Sequence, residues 1–392
     1  VLDNLGVWAN QWGNPSSIHQ NGRGPKNLLR EARAEFAKFI NAHPLEIVFT
    51  SGGSVSNNAI IKGYYYFLNN LNLSENKNVS LDKNLTHQAV GSEFRNEYIT
   101  SRVEHPSVLK SFADIERLGA KVHYLNVNRE GRIDLESYKK LLSKHTALVS
   151  VMFANNETGS LFPIAEMVRM AHEVGAKFHT DAVQALGKVA LDIHNLDVDF
   201  ASFSGHKMYS LRGSGVIFSK KGMKLQSLIS GGGQERGRRA GTENILAIAS
   251  LGQVAKEFSA HLSTSSAKMK LLRDEMESLI LKKIPDVQFT GVAVERLPNT
   301  SSLLIENIDG ESLLLNLDLE GFSVSTGAAC SSGSMDPSPV LLAMGLTRFE
   351  AQKSLRVSLG CDTTSAEIEQ FVTALVRIVE RLRSFRTEKV GQ

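Results

Sequence analysis

The sequence predicts an α/β protein of two domains, in which a mostly parallel sheet covered by helices is followed by a smaller α+β domain. Two observations carry this prediction. Seven short β-rich runs lie between residues 46 and 219, and amphipathic helical patterns separate most of them. After about residue 245 the pattern changes to long helical stretches with two further β-rich runs. Alternating strands and helices are typical of a parallel sheet with helices on both faces.

The β-rich runs of the first domain contain mainly β-branched and aromatic residues, as strands do. They are, in order, EIVFT (46–50), EYITS (97–101), KVHYL (121–125), TALVSVMF (146–153), KFHTD (177–181), VDFASFS (198–204) and SGVIFS (214–219). Helical patterns such as PSVLKSFADIERLG and PIAEMVRMAHEVG stand between them. Ligands bind such sheets at the carboxyl ends of the strands, so the residues that follow these runs are candidates for a site.

The second domain begins within a long helical stretch, NILAIASLGQVAKEF followed by KMKLLRDEMESLILKKI. The runs SSLLIENI and LRVSLG come later and predict strands. A chain of 392 residues is also long for a single core. We therefore predict a large domain over 1–260 and a small domain over 261–392.

Residues 69–95 do not fit either pattern. The stretch NNLNLSENKNVSLDKNLTHQAVGSEFR is rich in Asn and Ser and lies between a predicted helix and a predicted strand. A connection of this length without hydrophobic periodicity is typical of a surface insertion or a disordered segment. We predict a polar insertion here.

Composition excludes several classes of function. The formal net charge is only +3, which argues against nucleic acid and anionic membranes as partners. No stretch approaches 18 consecutive apolar residues, and the N-terminus resembles no secretory signal. The two cysteines, Cys330 and Cys361, make no disulfide framework, so a reducing compartment such as the cytoplasm is expected. The eleven histidines show no zinc-binding spacing, so no metal site is expected.

The first chemical signal is the segment SFSGHKMYS, residues 202–210. Here a strand ends and Lys207 follows in the turn, where a ligand of the sheet would bind. A lysine at such a place can form a Schiff base if burial or a cationic neighbour keeps it partly neutral. Ser204 and His206 beside it are suitable donors to a phosphate. Taken alone, Lys207 is more simply interpreted as an ordinary loop lysine.

Four other strand ends carry residues that complement this lysine. Asp181 could pair with the ring nitrogen of pyridoxal phosphate, and Asn156, in FANNETG, could bond its phenolate oxygen. In FTSGGSVSNNAI, the glycine pair ending at Gly53 and the hydroxyl of Ser54 precede a helix, an arrangement that binds phosphate. His105, in SRVEHPSV, could stack on a ring or move protons. Together these strand ends match the aldehyde, phosphate, ring nitrogen and phenolate of that cofactor.

These motifs, with others along the chain, also resemble a known family. They are IVFTSGGSVSNNAIIKG, VEHPSVL, NNETG, HTDAVQALGK, SFSGHKMYS, GGGQERGRRAGTEN, STGAACSSGS and LRVSLG, and they extend over nearly the whole chain. In order and spacing the sequence resembles the NifS/IscS-like (group I) cysteine desulfurases, which belong to the class V aminotransferase group of fold-type I pyridoxal-phosphate enzymes. Ser54 and Val55 replace the family's usual Thr-Glu, but Ser54 keeps the hydroxyl.

The resemblance implies a role for each site residue. Lys207 would hold the cofactor covalently, and proton shifts would involve Lys207 and His105. The remaining cofactor contacts would be Asp181 at the pyridine nitrogen, His105 on the ring, Asn156 and Gln184 at the phenolate, and Gly53, Ser54, Ser204 and His206 at the phosphate. Thr242 would reach the phosphate from the partner subunit of a homodimer. Arg356, with Asn156 nearby, would bind the carboxylate of the substrate, L-cysteine.

Cys330 lies in STGAACSSGS, a run that offers little apolar surface to bury. The resemblance implies that its thiolate takes sulfur from L-cysteine as a persulfide and releases L-alanine. A loop from Ser325 to Pro337 could carry the thiol roughly 20 Å to a sulfur acceptor, such as an iron–sulfur scaffold protein. Cys361, between a predicted strand and a predicted helix, is expected to be structural.

Three alternatives remain at this point. A selenocysteine lyase or another class V aminotransferase would share Lys207 and Asp181. A descendant that binds the cofactor without catalysis would share them as well. Release of alanine from L-cysteine separates these alternatives from a desulfurase.

Overall fold

The computed structural model describes the backbone of residues 1–76, 95–327 and 336–390, with side chains for 1–71, 95–327 and 336–385. The chain forms two compact units. Unit 1 contains Val1–Leu125, Leu135–Phe153 and Pro163–His261, and unit 2 contains Asn126–Asp134, Ala154–Phe162 and Leu262–Gln392. Two short segments that precede residue 260 thus belong to unit 2. One of them pairs there through the backbone, since Leu161 N–H donates to the Glu295 carbonyl and Leu297 N–H to the Gly159 carbonyl, each at 2.8 Å.

Within the described residues, unit 1 is built on a seven-stranded sheet, which confirms the predicted α/β fold. Its strands are β1 (Ile47–Thr50), β2 (Glu97–Ser101), β3 (Lys121–Leu125), β4 (Thr146–Ser150), β5 (Lys177–Asp181), β6 (Phe200–Ser204) and β7 (Gly215–Ser219). Their order is β1-β7-β6-β5-β4-β2-β3. Only β7 runs against its neighbours, β1 and β6, so the carboxyl ends of the other six strands lie at one edge.

Helices cover this sheet. They are α1 (Leu2–Ala9), α2 (Gln20–Phe39), α3 (Gly53–Asn76), α4 (Pro106–Arg117), α5 (Leu135–Leu141), α6 (Ile164–Glu173), α7 (Ile193–Leu196) and α8 (Ile245–Lys283). One apolar core joins α3 and α4 to the sheet, with Ile61 and Phe112 from the helices packed among Leu148 and Phe200 from the strands. This packing holds the first turns of α3 and α4 at the carboxyl edge of the sheet.

The prediction of an aperiodic connection from residue 69 is wrong for its first part, because α3 continues to Asn76. The side chain of Asn69 donates to the carbonyl of Tyr65 at 2.9 Å, one helical turn back, and so stays compatible with the helix. Asn70 donates to the side chain of Gln226 at 2.5 Å, which ties the helix to a distant loop. Residues 77–94 of the predicted insertion lie outside the described residues.

Unit 2 carries an antiparallel sheet of β8 (Val287–Phe289), β9 (Thr300–Ile305) and β10 (Ser354–Ser358), in the order β10-β9-β8. Its helices are the second half of α8, α9 (Gly310–Leu319), α10 (Pro339–Ala343), α11 (Arg348–Ala351) and α12 (Ser365–Val390). Its core combines Met276 and Ile280 of α8 with Leu303 of β9 and Val372 of α12. The two predicted helical stretches, 244–258 and 268–284, form one continuous helix, α8. Among the described residues, no helix is both long enough and apolar enough to cross a membrane.

Candidate active site

At the carboxyl edge of the unit 1 sheet, the ends of β6 and β1 lie on either side of the beginning of β7. Ser204, the last residue of β6, pairs with Gly215 of β7, and Gly215 pairs in turn with Thr50, the last residue of β1. A side chain on Gly215 would be impossible here, because a Cβ would lie only 2.5 Å from the backbone carbon of Gly52. The glycine therefore lets the turn between β1 and α3 lie directly over β7, next to the end of β6.

The first turn of α3 and the end of β6 together form a cradle. A Cβ on Gly53 would lie 2.9 Å from Val183 Cγ2 and 3.3 Å from Ser204 Cβ, so only glycine leaves this space open. The hydroxyl of Ser204 lies 2.9 Å from His206 Nδ1, and Ser54 is exposed in the same helical turn as Gly53. Hydroxyls, an imidazole and the amino end of a long helix make up a donor set that suits a phosphate group.

Asp181, the last residue of β5, is the buried carboxylate of this edge. Its Oδ2 accepts a hydrogen bond from Asn57 Nδ2 at 2.7 Å, and its Oδ1 accepts one from the backbone N–H of Val183 at 3.0 Å. Burial raises the pKa of Asp181, while the bonds from Asn57 and Val183 and the charge of His105 oppose that rise. Two donors thus hold the carboxylate in a fixed orientation.

His105 caps the amino end of α4 and lies within electrostatic range of Asp181. Its Nδ1 accepts from the backbone N–H of Ser107 at 3.1 Å and lies 2.8 Å from the hydroxyl of Ser107. Burial lowers the pKa of His105, the charge of Asp181 raises it, and the charge of Lys207 lowers it further. The imidazole is therefore disposed to be neutral.

Lys207 lies in the 3-10 turn Gly205–Met208 that follows β6, with its side chain exposed. Its charge lowers the pKa of three neighbours, His105, His206 and Lys188, each after a larger effect of burial. The pKa of Lys188 falls to about 8. Lys207 is thus close enough to the cradle and to His105 to act electrostatically on both.

Two predicted site residues of unit 1, Gln184 and Thr242, are described by their position and exposure alone. Gln184 is half-buried, three residues after the end of β5. Thr242 is exposed in the loop that precedes α8. Their roles at the phenolate and at a partner's phosphate stay predictions.

Asn156 and Arg356 belong to unit 2, where they contact each other. Arg356 Nη1 donates to the backbone carbonyl oxygen of Asn156 at 2.9 Å. The backbone of Arg356 also pairs with Ser325, whose carbonyl accepts from Arg356 N–H at 2.6 Å. The strand that carries Arg356 is thus tied both to the NNETG turn and to the beginning of the STGAACSSGS run.

A buried acid, Glu157, lies beside these residues and was not predicted as part of the site. Its carboxylate accepts a hydrogen bond from the hydroxyl of Ser338, which also caps α10 by accepting from Leu341 N–H at 3.1 Å. Burial raises the pKa of Glu157 to about 7, although Ser338 and Arg356 lower it. A Cβ on Gly327 would lie 2.6 Å from Glu157 Oε2, so the carboxylate sits against the chain at Gly327 and at Ser338.

Cys330 lies outside the described residues, as do residues 328–335 around it. Cys361 is half-buried in the turn before α12, and its carbonyl accepts a hydrogen bond from Lys268 Nζ at 3.0 Å. This position agrees with a structural interpretation of Cys361, which stays a prediction.

Two further buried polar residues of unit 1 escaped the sequence analysis. Asn57 contacts Asp181, and Glu104 is a buried carboxyl next to His105 whose pKa burial raises to about 8. A signal for Asn57 was available, because it precedes the buried Ile60, Ile61 and Tyr64 at helical spacing. A polar residue on the apolar face of a helix needs a buried partner.

The described residues of unit 1 therefore fit a ligand with a phosphate, a protonated ring nitrogen and a group that can bond to lysine. The cradle at Gly53 has room that a Cβ would fill, and its donors suit an anion. Asp181 presents an oriented carboxylate, and Lys207 is the nearby amine. This donor set is the one expected for pyridoxal phosphate.

Comparison with known proteins agrees with this chemistry. The family model described as aminotransferase class-V matches residues 2–73 and 80–371. The chain belongs to this family. It is similar to a cysteine desulfurase of a Nostoc species, with 40% identity over 383 residues, which cover 97% of this chain and 90% of that protein.

Solved structures resemble it as well. A NifS-like protein superposes with a TM-score of 0.84 at 32% identity, covering 97% of this chain and 95% of the other. SspA, solved in complex with cysteine, superposes with a TM-score of 0.75 at 30% identity, covering 91% of this chain and 94% of the other.

Proposed function

We propose that the protein is a cysteine desulfurase, which converts L-cysteine to L-alanine and leaves the sulfur as a persulfide on Cys330. The observation that supports this most directly is the position of Lys207. It follows β6 within electrostatic range of His105, which in turn interacts with Asp181. Membership of the class V family and the likeness to a Nostoc cysteine desulfurase support the same reaction.

Pyridoxal phosphate is the cofactor that these residues would hold. The cradle formed by Gly53, Ser54, Ser204 and His206 would take its phosphate, and Lys207 would bind it covalently. When bound, it supplies an electron sink for the electron pair released at the α-carbon of the substrate. Asp181 would accept a hydrogen bond from the protonated ring nitrogen and so keep that sink effective.

The protein's own residues divide the remaining work. Arg356, held by the carbonyl of Asn156, would bind the carboxylate of L-cysteine through its other N–H donors. Lys207 would accept and return protons beside the substrate, once it is neutral. Gln184 and the side chain of Asn156 would contact the phenolate oxygen.

The sulfur step belongs to Cys330. Its thiolate attacks the sulfur of L-cysteine, so that a sulfur–sulfur bond forms and the carbon–sulfur bond of the substrate breaks. The carbon skeleton keeps the electron pair of the broken bond and, after protonation, leaves as L-alanine. The balance is one L-cysteine and one thiol to one L-alanine and one persulfide, without an external oxidant.

The wider context of the reaction follows from the same assignment. Thr242 would complete the phosphate site of a partner subunit, so the active form would be a homodimer. The persulfide would pass to an acceptor protein, such as an iron–sulfur scaffold, in a reducing compartment such as the cytoplasm. A thiol-dependent sulfur carrier needs such a compartment.

The test is the release of L-alanine from L-cysteine by the purified protein loaded with pyridoxal phosphate. Equimolar L-alanine and sulfide in the presence of a reductant are expected. The Lys207→Ala variant is the control and is expected to lose both products. Release of alanine only from selenocysteine, or only when a 2-oxo acid is supplied, would favour a lyase or an aminotransferase instead.

A further inference from the structure

Asn57 lies at the centre of a buried hydrogen-bond network. Its Nδ2 donates to Asp181 Oδ2 at 2.7 Å and to the hydroxyl oxygen of Ser107 at 2.9 Å. Its Oδ1 accepts from the hydroxyl of Ser202. A carboxylate can only accept, so the NH₂ group of Asn57 must face Asp181, which fixes the orientation of the amide.

This orientation connects Asn57 to His105 through Ser107. The oxygen of Ser107 accepts from Asn57, and its one hydrogen can donate to His105 Nδ1, 2.8 Å away, if that nitrogen is an acceptor, as its bond from a backbone N–H requires. The backbone N–H of Ser107 points to the same nitrogen at 3.1 Å. A nitrogen that accepts two hydrogen bonds carries no hydrogen, so His105 has its hydrogen on Nε2.

The opposite arm of the network is also determined. Ser202 donates to Asn57, so it accepts from His179 Nε2 at 2.6 Å, and His179 Nδ1 accepts from Ser150 at 2.8 Å. Burial lowers the pKa of His179 to about 3, so this imidazole stays neutral. No imidazole in this part of the network therefore takes up a proton near neutral pH, so the directions of its hydrogen bonds do not change.

We propose that Asn57 is a positioning residue that orients the Asp181 carboxylate and, through Ser107, holds His105 as the neutral tautomer with its hydrogen on Nε2. His105 then acts as a hydrogen-bond donor, and the proton transfers of the reaction belong to Lys207. The assignment of the proton transfers to Lys207 rests on the proposed desulfurase function. It differs from the sequence-based expectation, in which His105 shares the proton transfers.

The charges around His105 agree with this assignment. Asp181 favours the imidazolium, while Lys207 and the amino end of α4, which His105 caps, oppose it. Glu104, the preceding residue, is a buried carboxyl that is largely protonated at neutral pH because burial raises its pKa to about 8. Asp181 is thus the acid among these groups whose charge favours the imidazolium.

The test is nitrogen NMR of the cofactor-loaded protein with ¹⁵N-labelled histidine rings. The His105 signals are assigned by their loss in His105→Gln. In the parent, Nδ1 is expected in the unprotonated range and Nε2 in the protonated range, unchanged between about pH 6 and pH 8, where histidines ordinarily titrate. In the parent protein alone, a protonated Nδ1, or a change of the His105 signals between about pH 6 and pH 8, would overturn the proposal.

The same NMR measurement on the Asn57→Asp variant is the second part of the test. An aspartate accepts the one hydrogen of the Ser107 hydroxyl, so towards His105 the hydroxyl oxygen can only accept, which favours a hydrogen on His105 Nδ1. That nitrogen is expected to become protonated within the same pH range, and kcat/KM to fall roughly tenfold per pH unit on the acid side. Asn69→Asp, on the same helix, is the matched control and should behave like the parent.

An unchanged His105 signal in Asn57→Asp would also overturn the proposal. The NMR result does not depend on turnover of L-cysteine. A protein that binds the cofactor with the expected tautomer but releases no alanine would refute the proposed function and leave the assignment of Asn57 intact.

Discussion

The guanidinium of Arg356 donates from Nη1 to the backbone carbonyl oxygen of Asn156 at 2.9 Å, across 200 positions of sequence. The carbonyl belongs to a turn that is itself fixed, because Asn155 Oδ1 accepts from the backbone N–H groups of Glu157 and Thr158. The guanidinium is thus oriented by a rigid backbone atom. One of its five N–H donors is used in this way, and the planar group can offer others to a carboxylate.

We expect Arg356→Lys to raise the KM for L-cysteine roughly 10- to 100-fold, with a smaller effect on kcat. The lysine keeps the charge but cannot bond Asn156 and a carboxylate in one plane, and a hydrogen bond to a charged group is worth about 1.5–3 kcal/mol. Steady-state kinetics measures the effect. Arg377→Lys, at an exposed arginine of unit 2, is the control. Equal KM values for both variants would exclude Arg356 from substrate binding.

The cradle at the start of α3 gives a second prediction, which concerns cofactor affinity. In Gly53→Ala the new methyl group would lie 2.9 Å from Val183 Cγ2, so Val183 and Ser204 must move away from the phosphate site. Such overpacking costs about 1–3 kcal/mol, which corresponds to a Kd for pyridoxal phosphate raised by roughly 5- to 150-fold. Equilibrium dialysis measures this Kd.

Gly6→Ala serves as the control for that experiment, since no atom lies within 4 Å of a Cβ at Gly6 in α1. Its affinity for the cofactor should match that of the parent. An unchanged affinity in Gly53→Ala would mean that the phosphate binds elsewhere.

Glu104 gives a prediction about stability and pH. Its Oε1 accepts from Ser101 and from Met152 N–H, and its Oε2 has no hydrogen-bond partner among the described residues. Burial raises its pKa from 4.5 to about 8. Below pH 4.5, the carboxyl of Glu104 is therefore protonated in both the folded and the unfolded chain. As the pH rises from there towards 8, only the unfolded chain releases the proton, and the folded state loses stability.

The isosteric Glu104→Gln variant removes this titration. We expect it to be more stable than the parent near pH 8, and the difference in free energy of unfolding to shrink by at most about 1.4 kcal/mol per pH unit towards pH 5. Urea unfolding of the cofactor-loaded proteins measures the difference, with the exposed Glu31→Gln as control. A difference that grows as the pH falls would show that Glu104 is ionised in the folded protein.

The sequence predicted the residues that stand at strand ends, because a parallel sheet gathers those ends at one edge. Asp181, Ser204 and His105 could be found in this way. Asn57 could not be placed by that rule, since its bond to Asp181 spans 124 positions and depends on the packing of α3 against the sheet. Glu157 was missed for the same reason, because its partner Ser338 is 181 positions away.

Strands were also easier to predict than the extents of helices. The predicted run 198–204 corresponds to β6, Phe200–Ser204, a short β-rich strand in which every residue is buried. The continuity of α8 through its serine-rich middle was not evident, since serine favours caps and turns over helix interiors. Buried residues on both sides of that middle, Val254 and Met269, keep the helix continuous. Tertiary packing overrode a weak local preference there.

The most direct test of the proposed function is the location of the persulfide. The cofactor-loaded parent, Cys330→Ser and Cys361→Ser are each incubated with L-cysteine, alkylated and examined by peptide mass spectrometry. One added sulfur atom is expected on the Cys330 peptide of the parent and of Cys361→Ser. No persulfide and no L-alanine above background are expected from Cys330→Ser, because a hydroxyl is a poor nucleophile towards sulfur. A persulfide on Cys361, or full alanine release without Cys330, would contradict the assignment.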